Sequence, residues 1–299
     1  MGKVAFLFPG QGAQFIGMGK DFYENFSESR RVYEEASDLI GLDLKKICFE
    51  ENEQIHITEF TQVAILTTSI AMLRAWQKDA VKMDVCAGLS LGEYSALVAC
   101  KAMRFEDAVR VVRERGILMQ EAVPVGEGTM AAVLGMEKEK IEEVLASLRG
   151  VQIANYNCPG QIVISGKTKA VELAVENLKA AGAKRCIPLK VSGPFHSDML
   201  LGAGEKLAKV LEPIEFLEHE VPYVTNVTAE YVTGIKEIKD LLRRQVSSGV
   251  RWQQSVEYMI ANGVEKFIEI GPGKTLSGFV KKIDRNVLVS NIGTVEDFK

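Results

Sequence analysis

The chain has 299 residues, of which 47% are apolar and 25% charged, and carries a formal net charge of −4. This is the balance of an ordinary soluble globular protein, and the negative charge offers no broad attraction to nucleic acid. The five cysteines are widely spaced and form no Cys-x-x-Cys pair, which argues against a disulfide framework and a zinc ribbon; they read as small buried side chains in a reducing cytoplasm.

The first residues hold too short an apolar stretch for a signal peptide, and Phe6 breaks the myristoylation pattern. Lys3 to Phe8 reads as a buried strand closed by Pro9-Gly10. Glu59 to Gln77 reads as a helix that is apolar nearly all round and therefore buried. Its most apolar part, Val63 to Leu73, is broken by Thr67, Thr68 and Ser69 and falls short of a membrane span. Met83 to Ala87 is a short strand, Tyr94 to Cys100 opens the next helix, and Phe105 to Ala122 forms another that ends before Pro124. From there the rhythm changes. Met130 to Leu134, Val151 to Tyr156, Gln161 to Ser165 and Lys184 to Val191 read as strands. Helical spacing recurs at Ile141, Val144, Leu145 and Leu148, and again at Val171, Ala174, Val175 and Leu178. The order β-α-β-β-α-β is that of a ferredoxin-like unit. It is expected at residues 125–193 as an insertion into a larger α/β-hydrolase-like domain with a parallel sheet, made of residues 1–124 and 194–299. Val264 to Ile270 and the helix after Gly273 return to the large domain.

Gly88-Leu89-Ser90-Leu91-Gly92 lies between a strand and a helix and fits the Gly-x-Ser-x-Gly nucleophile elbow. A tight turn exposes the Ser90 hydroxyl at a helix N-terminus, where the Leu91 amide can face the oxyanion formed when a carbonyl is attacked. A serine hydroxyl is a weak nucleophile and needs a base. Of three histidines, His56 and His219 lie in polar surroundings, whereas His196 follows a strand at the expected domain junction. It follows Ser90 in the chain, the order found in α/β-hydrolases. No carboxylate to orient His196 can be assigned from the residues. The glycine-rich stretches fail as nucleotide loops: Gly12 to Gly17 runs on into Met18-Gly19, and Gly273-Lys274-Thr275 has Ile268 where a P-loop needs glycine.

Six stretches together resemble the malonyl-CoA:acyl-carrier-protein transacylases of bacterial fatty acid synthesis, with the acyltransferase domains of polyketide synthases as close relatives. They are Phe8 to Gln14, Gly88 to Tyr94, Arg115-Gly116 with Met119-Gln120, Asn157 to Gln161, Phe195-His196, and Glu269 to Lys274. The resemblance implies a cytoplasmic acyltransferase that moves malonyl from malonyl-CoA to acyl carrier protein through a malonyl-serine ester. No bound cofactor is required for such a transfer and no metal cluster is evident in the residues, while charge and hydropathy point to no nucleic-acid or membrane partner. Ser90 would be the nucleophile and His196 its base, with the amides of Gln11 and Leu91 as oxyanion hole. Arg115 would pair with the malonyl carboxylate, and the main-chain carbonyl of Gln245 would orient His196. Phe195 is expected to crowd the acyl pocket against an α-methyl group. The cations Lys281, Lys282 and Arg285 could meet an acidic carrier or simply form a solvated helix face. Leu89 stands where many members carry a second histidine. A serine thioesterase built on the same elbow is the alternative.

Overall fold

Two sheets organise the computed structural model, which describes residues 2–76, 81–189 and 191–298. Their strands, in chain order, begin with β1 (Lys3–Phe8), β2 (Val85–Gly88), β3 (Gly128–Leu134), β4 (Val151–Cys158) and β5 (Gln161–Lys167). They continue with β6 (Arg185–Pro188), β7 (Tyr223–Val224), β8 (Tyr231–Val232), β9 (Val264–Ile270) and β10 (Leu288–Ile292).

The larger sheet runs β10-β9-β1-β2-β7-β8 and is parallel except for β8, which pairs antiparallel with β7 at the edge. The central strands β1 and β2 are short apolar runs because helices cover both their faces. The helix Thr58–Trp76 is buried along nearly its whole length, as its lack of a polar face requires. It packs between Ser27–Ile40 and Phe105–Glu121. Gly116 permits that closeness, since a Cβ there would press on the Glu59 backbone. Gln77, the expected end of the buried helix, lies outside the described residues.

The smaller sheet has the order β4-β5-β3-β6 and is antiparallel throughout. Helices Lys138–Ala146 and Thr168–Ala180 pack on one face around Val133, Ile141, Ile164 and Leu178. Residues of its other face, among them Met130, Ala132 and Val163, join the core of the large part. A bulge in β4 brings its backbone against Val250: Tyr156 N donates to Val250 O at 2.9 Å and Val250 N to Ala154 O at 2.8 Å. The last strand is shorter than its alternation predicts. Only Arg185–Pro188 pairs with β3, and Lys190 of the expected strand lies outside the described residues.

Four cysteines are buried as expected, while Cys186 is half-exposed. Among the described residues, no helix is long and apolar enough to cross a membrane, and no group of three or more His, Cys, Asp or Glu is placed to hold a metal ion.

Candidate active site

The site forms where β1 and β2 end side by side. Leu89 N donates to Phe8 O at 3.0 Å, and the helix Gly92–Ala99 starts directly beyond the elbow. A Cβ on Gly92 would overlap the Phe8 carbonyl, and one on Gly88 would overlap the Gly92 backbone. The two glycines are therefore demanded by close approach. Ser90 between them has φ +52°, a left-handed conformation that a non-glycine residue holds only under constraint. The constraint is Asn226, whose Oδ1 accepts from Ser90 N at 2.6 Å while its Nδ2 donates to Gly88 O at 2.7 Å.

His196 is also left-handed, at φ +56°, and is buried. Its Nε2 lies 2.7 Å from Ser90 Oγ, and its Nδ1 lies 2.9 Å from the main-chain oxygen of Gln245. A carbonyl can only accept, so Nδ1 carries the proton and Nε2 presents its lone pair to the hydroxyl. Burial first, and the nearby Arg115 charge second, push the imidazole down to about 4 from an ordinary 6.5. The ring is thus neutral at physiological pH, the form a base requires. Gln152 of β4 donates to His196 O at 3.3 Å and accepts from Asp198 N at 3.0 Å, holding the histidine turn to the smaller sheet.

Read in isolation, Arg115 looks like a surface residue of a helix, but it is only 1% exposed. Its Nη2 donates to Ser90 Oγ at 3.1 Å and to Gln245 Oε1 at 2.9 Å, and its Nη1 donates to Gln62 Oε1 at 2.6 Å. The guanidinium also faces the Tyr94 ring, 5.5 Å from its centroid. Glu93 is fully buried, and burial pushes its carboxyl up to about 7. Its Oε2 accepts from Asn226 N at 3.0 Å and from Gln245 Nε2 at 2.7 Å.

A cavity of about 390 Å³ opens over this group. Ser90, His196, Gln11, Leu91 and Phe195 all line it, so those five expected site residues share one space. Leu89 lines it as well, placing an apolar side chain directly beside the nucleophile. Among the described residues, the amides of Gln11 and Leu91 have no protein acceptor. Arg115 and Gln245 stand behind the wall, touching the hydroxyl and the imidazole respectively. His56 is exposed, whereas His219 is half-buried beside the carbonyls of Leu217 and Val232. Lys281, Lys282 and Arg285 are exposed.

Nothing in the sequence marks Asn226, Gln62 or Gln152, and Glu93 falls inside the elbow stretch with no role assigned to it. Asn226 lies just beyond a two-residue strand that leaves no periodic signal.

A hydroxyl paired with an imidazole on a strand–turn–helix elbow, in a parallel α/β sheet, defines the class: an acyl-transferring enzyme of the serine type. The chain belongs to the acyl transferase domain family, whose model matches residues 5–292. It is 50% identical to the malonyl CoA-acyl carrier protein transacylase of Bacillus subtilis (strain 168), covering 99% of this chain and 96% of that one. The crystal structure of the malonyl CoA-acyl carrier protein transacylase from Clostridium perfringens is 47% identical, with a TM-score of 0.95 over 99% of this chain and 94% of that one. A malonyl-transacylase solved in complex with its type II polyketide synthase acyl-carrier protein is 40% identical, with a TM-score of 0.96 over 99% of this chain and 97% of that one.

Proposed function

We infer that the chain is a malonyl-CoA:acyl-carrier-protein S-malonyltransferase that works by a ping-pong mechanism through a malonyl ester of Ser90. One observation carries the reading: the Ser90 hydroxyl touches both a neutral imidazole, at 2.7 Å, and a buried guanidinium, at 3.1 Å.

In the first half-reaction His196 Nε2 takes the Ser90 proton as Oγ attacks the thioester carbon. The resulting oxyanion lies between the Gln11 and Leu91 amides, each such donor lowering the barrier by about 2.7–4 kcal/mol. Collapse breaks the carbon–sulfur bond, and the departing coenzyme A thiolate takes the proton back from His196. In the second half-reaction the phosphopantetheine thiol of the carrier gives its proton to His196 and attacks the ester. Ser90 then leaves and recovers its proton. The Gln245 carbonyl keeps the ring in the required tautomer throughout.

Arg115 detects the feature that separates malonyl from acetyl, a free carboxylate, which a planar guanidinium pairs with two N–H bonds. Phe195 narrows the space beside the α-carbon, so malonyl is preferred to methylmalonyl.

Each step moves an acyl group between sulfur and oxygen, so malonyl-CoA enters as a substrate and no resident cofactor is needed. A cytoplasmic location fits these substrates. Residues 125–193 act as one unit closing over the site and residues 1–124 with 194–299 as the other, a division supported by the separate core on the outer face of the smaller sheet.

The test measures labelled malonyl transferred to holo carrier protein against malonate released to water. Transfer should dominate. Release that exceeds transfer would make the chain a thioesterase.

A further inference from the structure

Arg115 is held differently from most buried cations. Among the described residues no carboxylate forms an ion pair with it. Two neutral amides grip it instead, Gln62 Oε1 at Nη1 and Gln245 Oε1 at Nη2. What the amide nitrogens touch turns both oxygens inward. Gln62 Nε2 faces Met119 Sδ at 3.6 Å, and Gln245 Nε2 donates to Ser90 O at 2.9 Å and to Glu93 Oε2 at 2.7 Å. Glu93, the buried acid of the network, is thereby kept one amide away from the guanidinium.

The choice of amide over acid has a physical consequence. A carboxylate at either position would pair with Arg115 inside the protein, and an incoming substrate carboxylate would have to displace it. An amide oxygen fixes the plane of the guanidinium by hydrogen bonding while leaving its charge unneutralised. Keeping a cation buried in that state is unfavourable. The Tyr94 ring face offsets part of the penalty, and a bound carboxylate offsets the rest.

The geometry points to the Gln62 and Gln245 side chains as specificity-determining positioning residues: an amide clamp that orients Arg115 without neutralising it, so that an acyl group bearing a carboxylate is selected over a neutral one. This role is separate from the contact of the Gln245 main chain with His196, and it rests on the reading of Arg115 as the partner of the malonyl carboxylate.

The experiment compares kcat/KM for malonyl-CoA and acetyl-CoA in wild type, Gln62→Glu, Gln62→Met, Gln245→Met and Arg115→Ala, with thermal melting to verify folding. Gln62→Glu matches the wild-type shape but places a carboxylate on Nη1. The malonyl-to-acetyl ratio should fall roughly tenfold or more, mainly through a higher malonyl KM, because one charge-assisted hydrogen bond is lost to an internal competitor. Both methionine variants keep the bulk and the main chain, and should lower the ratio severalfold. Combined with Arg115→Ala, none should lower it further. Equal losses for the two substrates, an unchanged ratio, or a further drop on the Arg115→Ala background would overturn the clamp. If Arg115→Ala alone leaves the ratio intact, the assignment of Arg115 fails and the clamp with it. A ratio that collapses in Arg115→Ala but holds in the glutamine variants defeats the clamp alone.

Discussion

The Nδ1 of His196 meets the main-chain oxygen of Gln245 at 2.9 Å, in the place where a serine hydrolase of triad type sets an ionised carboxylate. A carbonyl fixes the tautomer equally well, but as a dipole it stabilises imidazolium less than a charge does. Burial and the Arg115 charge outweigh the backbone groups of Gln245 and Ser248, which favour the charged ring, so the imidazole is pushed down to about 4.

The pH dependence follows with its sign. A base whose pKa is depressed stays active as the pH falls until that value is approached. The kcat/KM for acylation of Ser90 should stay level from neutrality to about pH 5 and drop below it. Stopped-flow acylation across that range checks this. A half-maximum near the ordinary histidine value would show that the buried carbonyl-held ring does not control the reaction.

On the proposed role of Arg115, replacing it by alanine removes a buried, charge-assisted contact to the malonyl carboxylate. The loss for malonyl-CoA should exceed that for acetyl-CoA by roughly tenfold to hundredfold, corresponding to about 1.5–3 kcal/mol. Steady-state transfer assays with both thioesters measure it. Equal losses would remove Arg115 from the selection of substrate.

Asn226→Ala leaves the Ser90 amide and the Gly88 carbonyl without the side chain that holds them. Each orphaned buried group costs about 1–3 kcal/mol, so the melting temperature should fall by several degrees. Acylation should slow as well, because the left-handed turn at Ser90 is no longer fixed. Unchanged melting and unchanged acylation would mean the elbow is held by its glycines alone.

Glu93 provides a separate test by stability. Burial raises its carboxyl from 4.5 to about 7, so the folded chain holds a proton there that the unfolded chain releases between those values. Its contribution is complete below about pH 4.5 and is lost as the pH rises through 7. Denaturant unfolding of wild type and Glu93→Gln should therefore show the wild type losing ground to the variant across this interval. A pH-independent difference would contradict the shift.

Much of this architecture is legible in the residues, for identifiable reasons. Short apolar runs stopped by glycine or proline mark β1, β2 and β9, and the elbow glycines announce a strand-to-helix turn. β2 begins two residues later than expected, at Val85 rather than Met83, since only Val85–Gly88 meets β1. Between Gly128 and Pro188 the elements run strand, helix, strand, strand, helix, strand, and each carries its own period in the residues. What escapes is partly local and partly non-local. β7 and β8 have two residues each, too few for alternation. Helices Lys20–Asn25, Ser27–Ile40 and Leu44–Phe49 were not anticipated, although left-handed glycines 19 and 41 and the Asp43 cap on Lys46 N delimit them. The burial of Arg115 depends on Gln62, Tyr94 and Gln245 arriving from three distant parts of the chain, and no pattern within its own helix reveals them.

Intact-mass measurement after brief exposure to malonyl-CoA tests the central claim most directly. Wild type should gain a single malonyl group, mapped to the peptide containing Ser90, and lose it when holo carrier protein is added. Ser90→Ala should gain none, and His196→Ala should gain it far more slowly. An adduct of equal extent in Ser90→Ala, or a wild-type chain that stays unmodified in the presence of the thioester, would contradict the account.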